Sequence, residues 1–543
     1  MALRSLSQSS FFDPLFADPG CLDPGSVAWL LANARGDLFP AWITRGWRGE
    51  GRIGRDAWPA TVLLCLLVLR WSEEGMSRLG STKRARVDIA WRAAMGLQIG
   101  TPTPTEKTLR EFEAFLRERH PDCGVVRYLL LHEHIVRRCL AAGVAKASPI
   151  WAMDSTPMWC YGAVKDTVRL LGDGLRVLGA RWARATKTPL VAVAKQWKLP
   201  LIAAKSVKGH FRIDWSDDDA RVGVVTELAG DVLRVVERVH ERMEEVPREK
   251  RNHILEVCKT MSTVIAQNLE PDEKGRLAIA RKVARDRIVS LTDTQARHGR
   301  KSKSQTFNGF KVHLLGDVVS GLIAAVSVTP GNVHDSTPAV RLLTRAKQLV
   351  TTIDRVLGDT AYAGARDHHV AKRGLGVTLV TPPVAVGTES TTLRKQAFTI
   401  DFATETATCP NGVAAESRTF MKAPEGGAPI PVFHWPAAAC AVCPLRAECV
   451  KRATGGRHLI LHPYEQELRE IRTEFERPET RAEYRRRSEC ERLVNQVTRH
   501  GARQARAFGL QQANLQAHVV AMRCNLQLLA KAIVGQEAKP AAA

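Results

Sequence analysis

Asp154, Asp359 and Glu491 are the residues of this sequence with the strongest claim to chemistry. Asp154 follows the short apolar run "SPIWAM" and precedes the turn formers "STP", so it reads as lying near the end of a strand. Asp359 ends a second such run, in "IDRVLGDTAY". Glu491 lies in "YRRRSECERLVNQVTRHGARQARAFGL" (Tyr484 to Leu510), an arginine-rich segment of helical pattern. At about 100° per residue, Tyr484, Arg487, Glu491, Asn495 and Thr498 share one polar face, while Glu489 points elsewhere. Cys490, Leu493, Val494 and Val497 form the opposite, apolar side. Two strand-end aspartates and a glutamate from a helix across them would be a set of hard oxygen ligands for Mg²⁺ or Mn²⁺. Two such ions activate an attacking oxygen and stabilise a leaving one, which phosphodiester chemistry needs. Blander readings stand beside this one. Aspartate is common in turns after strands, and Glu491 at helical spacing can pair with surface arginines.

A second cluster is built of sulfur. Cys409 precedes "CAVCPLRAEC", which holds Cys440, Cys443 and Cys449. A C-x2-C pair with two further cysteines in a Gly/Pro-rich stretch fits a structural Zn²⁺ site with four thiolate ligands, which leaves no open position for catalysis. His434 and His458 are substitute ligands, and free thiols in a loop are the alternative. The ion would staple a segment with little core of its own. The other eight cysteines are scattered, mostly in apolar surroundings, and read as buried free thiols rather than disulfides.

The elements that must position these residues are of both kinds. Residues 1 to about 145 read as helical, with a leucine-rich stretch from Trp58 to Trp71 and a helix start in "TPTEKTLREFEAFLRER". There Thr103 is the expected cap, Pro104 the first helical residue and Glu106 the capping-box acid. Residues 165–290 return to helical periodicity. "FNGFKVHLLGD" and "GLIAAVSVTPGN" read as paired strands, "IDRVLGDTAY" as a third strand and "GVTLVTPP" as a fourth; from Tyr464 the chain is helical again.

The charge indicates the partner. A net charge of +23 over 543 residues points to a polyanion, nucleic acid first. Arg297, Arg300, Lys301 and Lys303 precede a strand, and Arg499 and Arg503 flank Glu491. Such clusters hold DNA backbone and carry affinity rather than base reading. Trp151, Trp159 and Tyr362 lie near the aspartates in sequence and could stack on a flipped base, though core packing is the expected role of the tryptophans. No apolar run reaches the roughly 20 residues that cross a bilayer, and no secretory signal opens the chain, so a soluble cytoplasmic protein is expected.

Taken in order, these residues resemble a known family. "Y-x2-R-x3-E" (Tyr484, Arg487, Glu491), "AMDST", "GFKVH…GLIAAVSVTPGNVHDS", "LGDTAYAG", "GARQARAFGL" and "QAHVVAMRCNLQLLA" are together similar to bacterial insertion-sequence DDE transposases. The resemblance covers most of residues 150–532, and the leading segment is similar to the helical N-terminal domain of these enzymes. It implies an α/β fold with a ribonuclease H-like mixed-sheet catalytic core and a metal-binding triad of Asp154, Asp359 and Glu491. It also implies a small cysteine-rich, zinc-ribbon-like insert before the glutamate helix. Where the family signature often continues with lysine, this chain has Thr498.

The expected organisation follows. A helical N-terminal DNA-binding domain spans 1–145, the first core strand region 146–164 and a helical insertion 165–295. Core strands with the second aspartate span 296–400, the cysteine-rich insert 401–463, the C-terminal catalytic helix region 464–535, and a disordered tail 536–543. The expected function is strand cleavage and strand transfer at the inverted-repeat ends of a mobile element and at target DNA, by a homodimer on DNA without a membrane. A DNA-binding protein that has lost catalysis and a metal-dependent DNA nuclease are the alternatives.

Overall fold

The computed structural model describes residues 22–48, 56–73, 76–145, 150–302, 304–384, 393–422 and 428–537. Lys303 and most of the tail expected at 536–543 lie outside them. The chain forms two compact units, one of residues 1–146, 155–334 and 492–543, the other of residues 147–154 and 335–491.

The first unit begins with helices α1 (Val27–Leu38), α2 (Ala60–Arg70), α3 (Arg78–Val87), α4 (Ile89–Met95), α5 (Glu106–Leu116) and α6 (Arg127–Ala141). Helix α2 is buried along its length, as its unbroken apolar sequence requires. Helix α5 is capped by Thr105, not Thr103: the Thr105 hydroxyl accepts from the Thr108 amide at 3.2 Å and meets the Thr108 hydroxyl at 3.0 Å. Two threonines could cap this start, and the second gains the extra hydroxyl contact. Glu113 is buried between Arg70 (2.8 Å) and Arg78 (2.5 Å), so charges of this region serve its interior. Arg92, part of an arginine-rich stretch, is likewise internal and donates to the Gln98 and Thr101 carbonyls.

Strand β1 (Ile150–Trp159) does not stop after Asp154 but runs five residues further, Pro157 included. Its second half belongs to the first unit, where the Cys160 amide donates to the Asn308 carbonyl at 2.9 Å. Helices α7 (Thr167–Thr186), α8 (Asp218–Glu241) and α9 (Arg248–Asn268) follow, capped by Asp166 at α7 and Asp217 at α8. They share a core of their own around Leu175, Trp182, Leu228 and Met261. A small hairpin of β2 (Leu269–Pro271) and β3 (Leu277–Ile279) leads to β4 (Arg297–Arg300), β5 (Thr306–Asp317) and β6 (Ile323–Pro330). Strand β5 is antiparallel to both β4 and β6. Gly309 of β5 has φ +154°, and a Cβ there would lie 2.1 Å from the Met158 carbonyl, so only glycine lets β5 approach β1 this closely.

The C-terminal helix, Leu510–Glu537, covers the free side of β6. Asn525 binds Ile323 through both ends of its amide (3.0 and 2.9 Å), and Asn514 binds Val328 in the same way (3.0 and 3.4 Å). Backbone groups of β6 not used by β5 thus find side-chain partners.

In the second unit the first half of β1 pairs in parallel with β7 (Arg355–Leu357), and β7 pairs in parallel with β8 (Thr378–Val380). Helix α10 (Ala339–Leu349) precedes β7. Residues 393–461 form hairpin β9 (Thr399–Asp401)–β10 (Thr406–Thr408) and an antiparallel sheet of β11 (Ser417–Met421), β12 (Ile430–His434) and β13 (His458–Ile460). Contrary to the expectation, this segment has its own core, built from Phe398, Phe433, Trp435, Leu459 and Leu461. Helices α11 (Glu465–Glu476) and α12 (Pro478–Arg485) come next. Arg355 fixes them to β7 by bonding Glu483 at 2.8 Å and Glu474 at 3.1 Å. The mixed α/β architecture fits a ribonuclease H-like fold.

Candidate active site: two aspartates on one arginine

The pairing of β1 with β7 sets the site. Ala152 is opposite Leu357, so two residues further along these parallel strands Asp154 comes level with Asp359. Adjacent strands are about 4.8 Å apart, which brings the two carboxylates together. Asp359 lies just past β7 and caps a tight turn, its Oδ1 accepting from the Ala361 amide at 2.9 Å. Its Oδ2 is left to face Arg487 at 3.8 Å, and Asp154 Oδ2 meets the same Nη2 at 3.4 Å. Burial works against the Arg487 charge, but Asp154 first, then Tyr484 and Asp359, holds its pKa above the ordinary value. Tyr484 rests its ring on Phe475 (5.1 Å); burial foremost raises its pKa, with Asp359 and Asp154 adding to the effect.

Glu491 does not join this pair. Helix α12 ends at Arg485, a 3₁₀ turn spans Arg486–Glu489, and a new helix, α13, runs from Cys490 to Val497. A 3₁₀ turn adds about 20° per residue to the α-helical rotation, or about 80° over four residues. The extra rotation shifts Glu491 relative to Tyr484 and Arg487, and Glu491 is exposed. An Arg486–Glu489 ion pair (3.4 Å) spans the turn. Cys490, Leu493 and Val497 are buried as the pattern requires, but so is Thr498, which was expected on the polar face.

One functional candidate, Asp335, escaped the sequence reading, and another, Tyr362, figures there only as a residue able to stack on a base. The Tyr362 hydroxyl is buried with no hydrogen-bond partner among the described residues. Its pKa is driven well up by burial and then by Asp335, Asp154 and Asp359. Three carboxylates therefore act on one buried hydroxyl. Asp335, in "GNVHDS" just after β6, was visible as an acid following a strand. Trp151 and Tyr362 are both buried and unavailable for stacking, whereas Trp159 is 41 % exposed, against the expectation that tryptophans here pack inside.

The donor set can be judged on chemistry. Asp154 and Asp359 are hard oxygen ligands that already share one cation, the Arg487 guanidinium, and so fit a divalent ion as a pair. No three His, Cys, Asp or Glu side chains among the described residues are grouped to hold a metal ion, so Glu491 is not gathered with them.

Cys409, Cys440, Cys443 and Cys449 all line one cavity of about 30 Å³, and none forms a disulfide. Burial raises the Cys449 thiol pKa, and the other three thiols push it the same way. Among the described residues they too are not drawn into an ion-holding group. His434 and His458 lie elsewhere, paired across β12 and β13 with ring nitrogens 3.0 Å apart. Among the basic residues, Arg297 and Arg300 lie in β4, itself a short strand just before β5. Arg297 is partly buried and donates to the Thr294 and Ala296 carbonyls, while Arg300, Lys301, Arg499 and Arg503 are exposed.

Residues 408–530 match the family model for a transposase DDE domain. The match supports a DDE transposase family. It takes in the cysteine cluster, Tyr484, Arg487 and Glu491, and leaves Asp154 and Asp359 outside. Comparison with curated proteins and with solved structures finds no match. No described helix is long and apolar enough to cross a membrane.

Proposed function

We propose that this chain is the transposase of a bacterial insertion sequence, cutting the inverted-repeat ends of its element and joining them to target DNA. The observation that carries this reading is the convergence of Asp154 and Asp359 on Arg487, in a chain with a matched transposase DDE domain. Asp154 and Asp359 would hold Mg²⁺ or Mn²⁺, with Glu491 as third ligand. Bound there, the ion supplies activation of the attacking oxygen and stabilisation of the leaving oxygen. Arg487 is placed to exchange its carboxylate contacts for a phosphate oxygen.

In the first step a water oxygen bonds to phosphorus and the P–O3′ bond breaks, freeing a 3′-hydroxyl. In the second that hydroxyl attacks a target phosphodiester, so one P–O bond forms as another breaks. Arg300, Lys301, Arg499 and Arg503, with Arg297 and Lys303, would meet DNA backbone. Residues 1–145 would bind the element's ends, and cutting both ends calls for a homodimer. The four cysteines would hold structural Zn²⁺, and the enzyme would be cytoplasmic and nucleoid-associated.

A DNA-binding protein that no longer cuts is favoured by one observation, the exposed Glu491, which is in no three-residue metal-holding group among the described residues. Cleavage of DNA carrying the terminal repeats, with Mg²⁺, separates the readings. Wild type should cut, and Glu491→Gln should bind without cutting. Equal cutting by both would remove Glu491 from the site and make Asp335 the next acid to test. Binding without cutting by wild type would favour the inactive protein.

A further inference from the structure

The far end of β1 carries aromatic surface that the proposed catalysis leaves unused. Trp159, Tyr161 and Phe508 are 41, 53 and 48 % exposed. Their positions are fixed by the fold. The Trp159 amide donates to the Arg503 carbonyl at 2.9 Å, and its carbonyl accepts from Ala505 at 2.8 Å, which joins residues 503–505 to the strand. Gln516 holds the same segment by donating to the Gly501 and Gln504 carbonyls (2.6 and 2.8 Å) and accepting from the Arg506 amide (2.9 Å). The Trp159 indole stands edge-on to buried Phe307, with centroids 6.2 Å apart, and Tyr161 tilts against Phe508 at 5.0 Å.

Exposed cations accompany these rings. Arg503 shares the backbone bridge to Trp159, and Arg300 and Lys301 close the β4 strand, whose Gly299 is opposite Phe307. The Asp293 carboxylate, which accepts from the Gly509 amide, is 1 % exposed and adds little surface charge.

We propose that Trp159, Tyr161 and Phe508 are a stacking platform for unpaired nucleotides of a DNA strand, with Arg300, Lys301 and Arg503 on its phosphates. The inference rests on reading the chain as a DNA-cutting enzyme and goes beyond it to the local form of the substrate. Half-exposed aromatic rings suit stacking with unpaired bases, whose faces a duplex hides within its own stack. Cations beside the rings, in a protein of net charge +23, favour a polyanion over an apolar protein partner.

The test is binding of the full chain, by fluorescence anisotropy at one salt concentration, to a single-stranded oligonucleotide and to a duplex of the same sequence. Tyr161→Leu and Phe508→Leu should each weaken single-strand binding by about fivefold or more. Duplex binding should change less than about twofold, since phosphate contacts survive. Tyr161→Phe should keep wild-type affinity, and unchanged melting temperatures exclude a folding defect. Unaltered single-strand affinity in both leucine variants, with wild type binding DNA, would overturn this inference alone. So would equal losses on both DNA forms, or variants that lose only self-association by light scattering. A wild type that binds neither form would overturn the transposase reading with it.

Discussion

Arg487 occupies the place where the proposed ion must bind, so removing its charge should tighten metal binding while harming the reaction. Its two contacts, 3.4 Å to Asp154 and 3.8 Å to Asp359, would each be worth about 4–5 kcal/mol at an effective dielectric constant of about 20. Solvent reduces that gain. The Arg487 side chain is 27 % exposed and the Asp359 side chain 38 %, and pairs open to water measure about 0.2–1 kcal/mol each. The two contacts together then oppose an incoming cation by about 1–2 kcal/mol. Arg487→Gln should bind Mn²⁺ about 5- to 30-fold more tightly, by titration calorimetry or by the free-Mn²⁺ electron-spin signal. The same variant should lose a similar 1–2 kcal/mol of stability without metal, because two carboxylates then face each other unneutralised, and regain it when Mn²⁺ is added. Cleavage should still fall, since the arginine no longer reaches phosphate. Unchanged or weaker Mn²⁺ binding would refute the competition and with it the assignment of this carboxylate pair as a metal site.

Other parts of the structure make further predictions. Arg355→Met strands Glu474 and Glu483 in partly buried positions and should cost about 2–4 kcal/mol in urea unfolding. Burial opposes ionisation of Glu474, but Arg355, Thr480 and Arg477 bring its pKa below the ordinary 4.5. Its contribution is therefore present above about pH 4.5 and lost as pH falls through the depressed folded value, a decline that should be shallower in Arg355→Met. Asn525→Ala leaves the Ile323 amide without its side-chain acceptor, while the Ile323 carbonyl keeps His132 at 3.1 Å; the cost should be about 1–3 kcal/mol, with faster hydrogen exchange at the start of β6. If the four cysteines hold Zn²⁺, Cys443→Ser should lower the zinc content of purified protein, and a chelator should lower the melting temperature of wild type but not of the variant.

Much of the fold was legible because the pattern is strong where burial is complete. The apolar run of α2, the paired β5 and β6, and the short β7 ending before Asp359 all read directly from composition and turn residues. What escaped depends on contacts distant in sequence. "STP" after Asp154 looks like a turn, yet β1 continues to Trp159, which bonds the 503–505 segment, and the next residue, Cys160, bonds Asn308. Trp159 looks like a core residue until the strand's end is known to face solvent. The core of the cysteine-rich region joins Phe398 to Phe433, Trp435 and Leu459, too dispersed to show as a periodic run.

The helix bearing Glu491 shows how far spacing alone can be carried. A shared face from Tyr484 to Thr498 assumes an unbroken rotation of about 100° per residue. Arg486 and Glu489, three apart, suit the tighter turn, in which residues i and i+3 eclipse, and their ion pair forms there. That local pairing accounts for the turn at little energetic cost, since an exposed pair of this kind is worth about a kcal/mol at most. Glu491 nevertheless lies on the exposed side of the next helix, whose other side, Cys490, Leu493 and Val497, is held in the core. Cys490 and Leu493 anchor the buried side of the helix on either side of it. A proposed third ligand therefore has to be delivered against the packing of Cys490, Leu493 and Val497, which spacing along the sequence does not reveal.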